Sequence, residues 1–136
     1  MSRPTDAIRA MHAPDSGTLV RDVLFGLLAD DVEWKVAGDA DRLPWAGSVR
    51  GHEGVRRWLE TLNEHIDYER FELVELYADG DTVIELVLAS GRAAASGRAF
   101  ASEIVRVWTF RDDRAVLVRS YYDTAAYERA FLGESH

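Results

Sequence analysis

The most regular alternation of apolar and polar positions in the 136-residue chain lies between Ala99 and Phe131. Phe100, Ile104, Trp108 and Phe110 share one parity, and Ala101, Glu103, Val105 and Val107 share the other, which is the two-residue period of a β-strand. Asp112-Asp113 marks a tight turn, residues 115–122 read as a second strand, and residues 124–131 as a closing helix. Two long strands are predicted before this hairpin, over 68–78 and 82–92. They are joined by Asp79-Gly80-Asp81, and the loop 93–97 leads on to the strand 100–110.

Nearer the N-terminus the period becomes helical. Residues 4–12 fit a short helix, interrupted by Pro14-Asp15-Ser16-Gly17. Thr18 is placed to cap a second helix running to about Leu28, with Leu19, Val23, Leu24, Leu27 and Leu28 on one stripe. Asp30-Asp31 ends it and residues 32–36 (VEWKV) read as a strand. A polar loop over 38–43 is closed by Pro44-Trp45-Ala46-Gly47. Gly51-His52-Glu53-Gly54 then leads into a third helix over 55–65, with Val55, Trp58, Leu59 and Leu62 at helical spacing. Helices followed by a run of strands is an α+β order. The expectation is one domain over 1–136, a curved antiparallel sheet with helices packed on its concave face. Such a face either fills with side chains or encloses a ligand.

Composition narrows the partners. A hydrophobic content of 47% supports a core, while the net charge of −8, with no basic run, speaks against nucleic acid and anionic membrane. The longest apolar run, residues 23–29, is far short of a membrane span. Residues 1–15 lack a signal-peptide core and the chain has no cysteine. The chain therefore reads as soluble and cytoplasmic. His52 and His65 flank the third helix with no second ligand at metal spacing, and no Gly-rich phosphate loop is present. No metal and no cofactor are expected.

The segments LLADDVEW, LPWAG-SVRG-HEGVRRWL, ADGDTV and VWTFRDDRAVLVRSYYDTAAY resemble the SnoaL-like branch of the NTF2-like superfamily, over nearly the whole chain from Leu19 onward. That superfamily also holds ketosteroid isomerases, limonene-epoxide hydrolases and polyketide cyclases. The resemblance implies a cone-shaped α+β fold, and this fold carries several chemistries as well as plain binding. Laid on this chain, the isomerase base falls on Val36, the acid of the oxyanion hole on Arg106 and its tyrosine near Met11. The epoxide hydrolase positions fall on Trp34, Val36 and Ser120, with only Glu85, Val87 and Ala89 where an Arg-x-Asp pair belongs. The cyclase acid/base falls on Tyr122 or Asp123. No relative's full set is present.

What the chain offers instead is a different set. Closing the 93–97 loop as a regular hairpin pairs Arg92 with Ala99 and puts Glu85 directly opposite Arg106, among Val83, Val87, Ile104 and Trp108. By the family register this is the concave face. The guanidinium fork could hold an anionic or enolate oxygen with the carboxylate as base or orienter, and the pair could equally be a structural ion pair. Asp123 is either a general acid/base or the N-cap of the last helix. Trp34, Trp45, Trp58 and Tyr122 could wall a pocket for a flat ligand, with Trp45 the foremost contact and Trp58 and Trp108 better read as core. Ser102 and Ser120 share the parity of Arg106 and could offer hydroxyls. Ile84, Leu86 and Leu88 face the other way, and a homodimer packed sheet to sheet would cover them. The sequence thus suggests a cofactor-independent acid/base enzyme of isomerase or cyclase type, acting on a hydrophobic carbonyl compound, polycyclic ones included. Its rival is a binding or accessory protein without chemistry.

Overall fold

The computed structural model describes residues 3–12 and 19–133. The interruption at Pro14–Gly17 and the cap at Thr18 lie outside them. In chain order the elements are α1 (Arg3–Met11), α2 (Leu19–Leu27), β1 (Leu28–Val36), β2 (Gly47–Arg50), α3 (Gly51–His65), β3 (Ile66–Asp79), β4 (Thr82–Ala93), β5 (Ala99–Arg111), β6 (Arg114–Tyr122) and α4 (Thr124–Leu132). The α+β prediction holds. Six strands form one sheet in the order β2-β1-β6-β5-β4-β3.

The sheet is mixed. β1 runs parallel to β6, whereas every other neighbouring pair is antiparallel. The alternating pattern predicts strands but not the direction of their partners, and here the first long strand returns to pair with the last. The β4–β5 register is the one the sequence predicts, with Arg92 opposite Ala99 and Glu85 opposite Arg106. The turn at Asp112-Asp113 takes positive φ at both residues, the backbone that a two-residue hairpin requires and that Asp tolerates.

Several elements differ from the sequence reading: α3 starts at Gly51 rather than Val55, β3 at Ile66 rather than Tyr68, and a strand β2 is added. The strand β1 begins at Leu28, so Asp30 and Asp31 are strand residues at exposed positions rather than a helix end. The four-residue β2 pairs with β1 through Trp34–Val49 and Val36–Gly47. Its Gly-Ser-Val-Arg sequence is too short and too polar to show a period.

Helices cover one face of the sheet. Leu24 and Leu27 of α2, Val55 of α3, Ile8 and Met11 of α1 and Tyr127 and Ala130 of α4 pack with Leu28, Val32, Trp34, Val83, Phe100, Trp108, Phe110 and Val118 in a single core. At one place two strands lie too close for any side chain. A Cβ on Gly91 of β4 would sit 2.2 Å from the Asp67 carbonyl oxygen of β3, beside the irregularity between Tyr68 and Arg70. The other face keeps its apolar residues outside: Tyr77 is 55% exposed, Tyr121 47% and Ile84 38%. No helix of the described residues is long and apolar enough to cross a membrane.

Candidate functional site

Glu85 is the fourth residue of β4 and is wholly buried. Its partner across the strand, Arg106, donates from Nε to Oε1 at 2.6 Å and from Nη2 to Oε2 at 2.7 Å. The indole Nε1 of Trp108 donates to Oε1 at 2.9 Å, and Nε2 of His12 bonds to Oε2. The carboxylate thus accepts from four donors. Burial pushes its pKa up, but the charge of Arg106 and the hydrogen bonds from His12, Arg106 and Trp108 outweigh this and bring it down to about 2. At neutral pH Glu85 is an anion. For Arg106, burial works against the charge and Glu85 outweighs it, so its pKa lies above the ordinary value. Among the described residues nothing accepts from its Nη1, and 14% of its side chain is exposed.

Above the guanidinium lies Phe71 of β3, whose ring centre is 5.4 Å from Arg106 Cζ, within cation–π range. The imidazole of His12 stacks on the same ring at 5.7 Å, with 4° between the planes. His12 arrives from the end of α1, 73 positions before Glu85 in sequence. No periodicity or spacing signals that contact in the chain.

Next to this cluster, on the same face, is a small cavity of about 40 Å³ between the sheet, α3 and α4. It is lined by Val36, Trp45, Trp58, Leu62, Tyr68, Ile104, Ser120, Tyr122 and Tyr127. Two of these, Ile104 and Ser120, flank Arg106 along and across the strands. The lining is apolar except for its hydroxyls. Tyr68 and Tyr127 are hydrogen-bonded to each other at 2.8 Å. The hydroxyl of Tyr122 donates to the Ala37 carbonyl and accepts from Trp45 Nε1 at 3.2 Å. Burial dominates their titration. It pushes Tyr122 up to about 12 against the opposing hydrogen bond from Trp45. It raises Tyr127, with Tyr68 adding to the effect, and it raises Tyr68 against the opposing influence of Tyr127 and Arg106. All three are protonated phenols and poor bases; Tyr122 already donates its O–H to Ala37, and the Tyr68–Tyr127 pair keeps one O–H free for a ligand.

Trp45 and Trp58 also form the floor of an outer groove of about 330 Å³, shared with Pro44, Val49, Arg50, Gly54 and Arg57. Trp58 Nε1 donates to the Trp45 carbonyl at 2.7 Å. These two rings are therefore the partition between groove and cavity. Trp45, which its loop sequence offers as a ligand contact, is buried and tied to Tyr122.

The remaining candidates lie elsewhere. Trp34 is in the core, 5.2 Å from Trp58 and edge-on to Trp108 at 6.3 Å, and its Nε1 is buried without a partner among the described residues. It does not belong to the cavity lining. Asp123 caps α4, its Oδ1 accepting from Ala126 N at 3.1 Å. Its own N–H donates to Ser102 Oγ at 2.9 Å, and that hydroxyl donates to the Glu103 carbonyl. Ser102 and Asp123 line a separate open cleft with Arg70 and Leu88. The structure therefore gathers Trp45, Trp58, Ser120 and Tyr122 around one cavity with the Glu85–Arg106 pair beside it, and sets Ser102 and Asp123 apart. Tyr68, Tyr127 and His12 join the site without having been singled out in the sequence. Tyr68 carries a usable signal, since it opens the strand predicted over 68–78, but its parity depends on a bulge that the residues do not reveal.

The described residues contain no group of three or more His, Cys, Asp or Glu side chains that could hold a metal ion. No curated protein matches the chain in sequence. Solved structures do resemble it. An NTF2-like protein of unknown function from Burkholderia pseudomallei K96243 superposes with a TM-score of 0.85 at 24% identity, covering 96% of this chain and 98% of that one. An NTF2-like protein from Burkholderia xenovorans LB400 gives 0.80 at 28% identity, with 94% and 95% covered. TerC, co-crystallised with polyporic acid, gives 0.81 at 22% identity, with 96% and 99% covered. The sequence profile of the SnoaL-like domain matches residues 5–118, and the chain is thus a member of the SnoaL-like family with the NTF2-like fold.

Proposed function

We propose that the chain is a cofactor-independent acid/base enzyme that acts on a hydrophobic carbonyl compound, flat and polycyclic ones included, held against the inner cavity. The observation that carries this reading is the juxtaposition of an aromatic, hydroxyl-bearing cavity with Arg106, whose Nη1 is uncommitted and whose charge Glu85 holds in place. A carbonyl oxygen gaining negative charge during proton abstraction is stabilised by such preorganised donors. Glu85, Arg106 and Asp123 are the candidate catalytic groups. Trp34, Trp45, Trp58, Ser102, Ser120 and Tyr122 are the candidate contacts, and Trp34 would act from behind Trp58. The cavity, partly open and about 40 Å³ in volume, has room for about one water. Displacing the Trp45–Trp58 partition would join it to the outer groove and bring the volume into the range of ligand sites, ~300 Å³ and above.

A second reading is a binding protein without chemistry. It is favoured by the saturation of Glu85 by four donors and its low proton affinity. One experiment separates the two. The protein is incubated in D₂O with a panel of flat aryl ketones and with polyporic acid, the compound crystallised with TerC. Melting temperature and exchange of the proton next to the carbonyl are then followed. An enzyme accelerates exchange, whereas a binder shows only the ligand-dependent rise in melting temperature. If neither responds, both readings fail.

The partner proposed for the exposed face is a second copy of the chain. Ile84 pairs with Tyr77 and Val107, and Leu86 with Glu75 on one side and Val105 on the other, which faces Tyr121, making an apolar strip edged by Glu75. Glu72 and Glu103 lie beyond one end of it and Arg119 and Lys35 at the opposite corner. A two-fold axis through the strip would set the acids of one copy against the bases of the other. Ile84→Asp should then convert a dimer to a monomer in sedimentation; a monomeric parent protein overturns the assignment.

A further inference from the structure

We propose that His12 is the residue that carries the proton in this site, with Nδ1 as the atom that takes it up and returns it. The inference rests on the acid/base reading above and names the group that performs it. An ionised carboxylate only accepts hydrogen bonds. Since Glu85 is held as an anion by Arg106 and Trp108, the His12 nitrogen that touches it must be the protonated one. The contact is made by Nε2. Glu85 thereby fixes the tautomer, and Nδ1 is left as the lone-pair nitrogen of the neutral ring. No described residue bonds to Nδ1. A carboxylate that orients an imidazole in this way makes the other ring nitrogen a general base.

The surroundings fit that role. His12 and Arg106 share one carboxylate oxygen, Oε2 of Glu85, and both lie against the ring of Phe71. Base and oxyanion donor are thus held by the same two side chains. The ionisable groups around the imidazole are Glu85 on β4, Arg106 on β5 and, beyond Arg106, the hydroxyl of Tyr68 on β3. The charges of Glu85 and Arg106 compensate each other, so protonating His12 adds one positive charge to a neutral pair. Tyr68, Tyr122 and Tyr127 remain protonated, and Glu85 is the anion of the pair. None of these groups is suited to accept a proton near neutral pH.

The step balances as a proton abstraction. Nδ1 takes a proton from the carbon next to the carbonyl. The C–H electron pair becomes the enolate double bond, and the carbonyl π pair moves onto oxygen beside the guanidinium charge. Return of the proton from Nδ1–H, to the same carbon or to a conjugated one, restores the neutral imidazole.

The test uses the full chain with 2-tetralone in D₂O, read by NMR as exchange of the proton next to the carbonyl. His12→Gln keeps an amide N–H in reach of Glu85 but offers no proton-accepting nitrogen. It should melt within a few degrees of the parent protein and lose roughly 100-fold or more in exchange rate, the usual share of a general base. Unchanged exchange in His12→Gln overturns the inference while leaving the enzyme reading intact, and a parent protein that exchanges nothing overturns both. Nitrogen-15 spectra of the imidazole give a check that needs no substrate. At alkaline pH the proton should sit on Nε2 with Nδ1 bare, and the opposite tautomer overturns the inference whatever the exchange rates. If His12→Gln fails to fold, this spectrum decides.

Discussion

Glu85 and Arg106 are directly opposed residues of β4 and β5, joined by a fork of two hydrogen bonds at 2.6 and 2.7 Å with the carboxylate wholly buried. In such a place neither charge is tolerable without the other. Arg106→Met leaves a buried anion facing only Trp108 and His12, and should cost about 3–5 kcal/mol. Glu85→Gln leaves a buried cation unpaired and should cost a similar amount. The double variant should be clearly more stable than the sum of the two losses predicts. Chemical denaturation of all four proteins closes the cycle, and additive losses would mean that the fork carries no coupling.

The same pair sets the response to acid. Glu85 has an ordinary value of 4.5 and lies at about 2 in the folded chain, where the charge of Arg106 and the three hydrogen-bonding side chains overcome the effect of burial. A carboxyl depressed by folding contributes stability above its unfolded pKa and loses it as pH falls toward the folded one. The full contribution is roughly 3 kcal/mol at a little over one kcal/mol for each pH unit. Stability should therefore fall between about pH 4.5 and pH 2, and the slope there should be shallower in Glu85→Gln. Parallel denaturation curves for the two proteins across that window would count against the assignment.

What the sequence reveals of this site follows from how local each determinant is. The pairing of Glu85 with Arg106 depends on one short loop and two strands of clear alternation, so counting back from Arg92 and Ala99 is enough. Tyr121 and Tyr122 point to opposite faces for the same reason, one nearly half exposed and the other at the cavity. His12 reaches Glu85 across 73 positions through the docking of α1, which only the folded core determines. Trp45 illustrates the opposite failure. Its Pro/Gly-flanked loop reads as surface, yet Phe131 at 5.2 Å, Tyr127 at 6.1 Å and the hydroxyl of Tyr122 enclose it. The short β2 carries too few residues for any period to show.

Asp123 tests the division between cap and chemistry. Its side chain accepts from Ala126 N at the start of α4, and loss of such a cap costs about 1 kcal/mol. Asp123→Ala should lower the melting temperature by a few degrees, and Asp123→Asn should restore most of it, because the amide oxygen can accept the same bond. Exchange measured on the Asn variant then reports on proton transfer alone. A loss of activity in Asp123→Asn with the cap intact would place Asp123 among the catalytic groups. Full activity would confine it to the cap.

The hydroxyl pair of Tyr68 and Tyr127 offers a test of how the cavity wall is held together. Each hydroxyl finds the other at 2.8 Å inside an aromatic wall that also contains Phe100, 4.4 Å from Tyr127 and 5.8 Å from Tyr68. Removing one hydroxyl strands the other in an apolar site, at about 1–3 kcal/mol. Removing both leaves two phenylalanines of nearly the same shape and no orphaned group. Tyr68→Phe and Tyr127→Phe should each destabilise the protein more than half as much as the double variant does, so that the measured coupling is favourable by about 1 kcal/mol. Binding of a flat ketone separates structure from function. If these hydroxyls orient the carbonyl, the double variant, measured where it is fully folded, should lose roughly tenfold in affinity, the worth of one neutral hydrogen bond. Unchanged affinity would leave the pair as a structural clasp and shift the polar contact to Ser120, whose hydroxyl also lines the cavity.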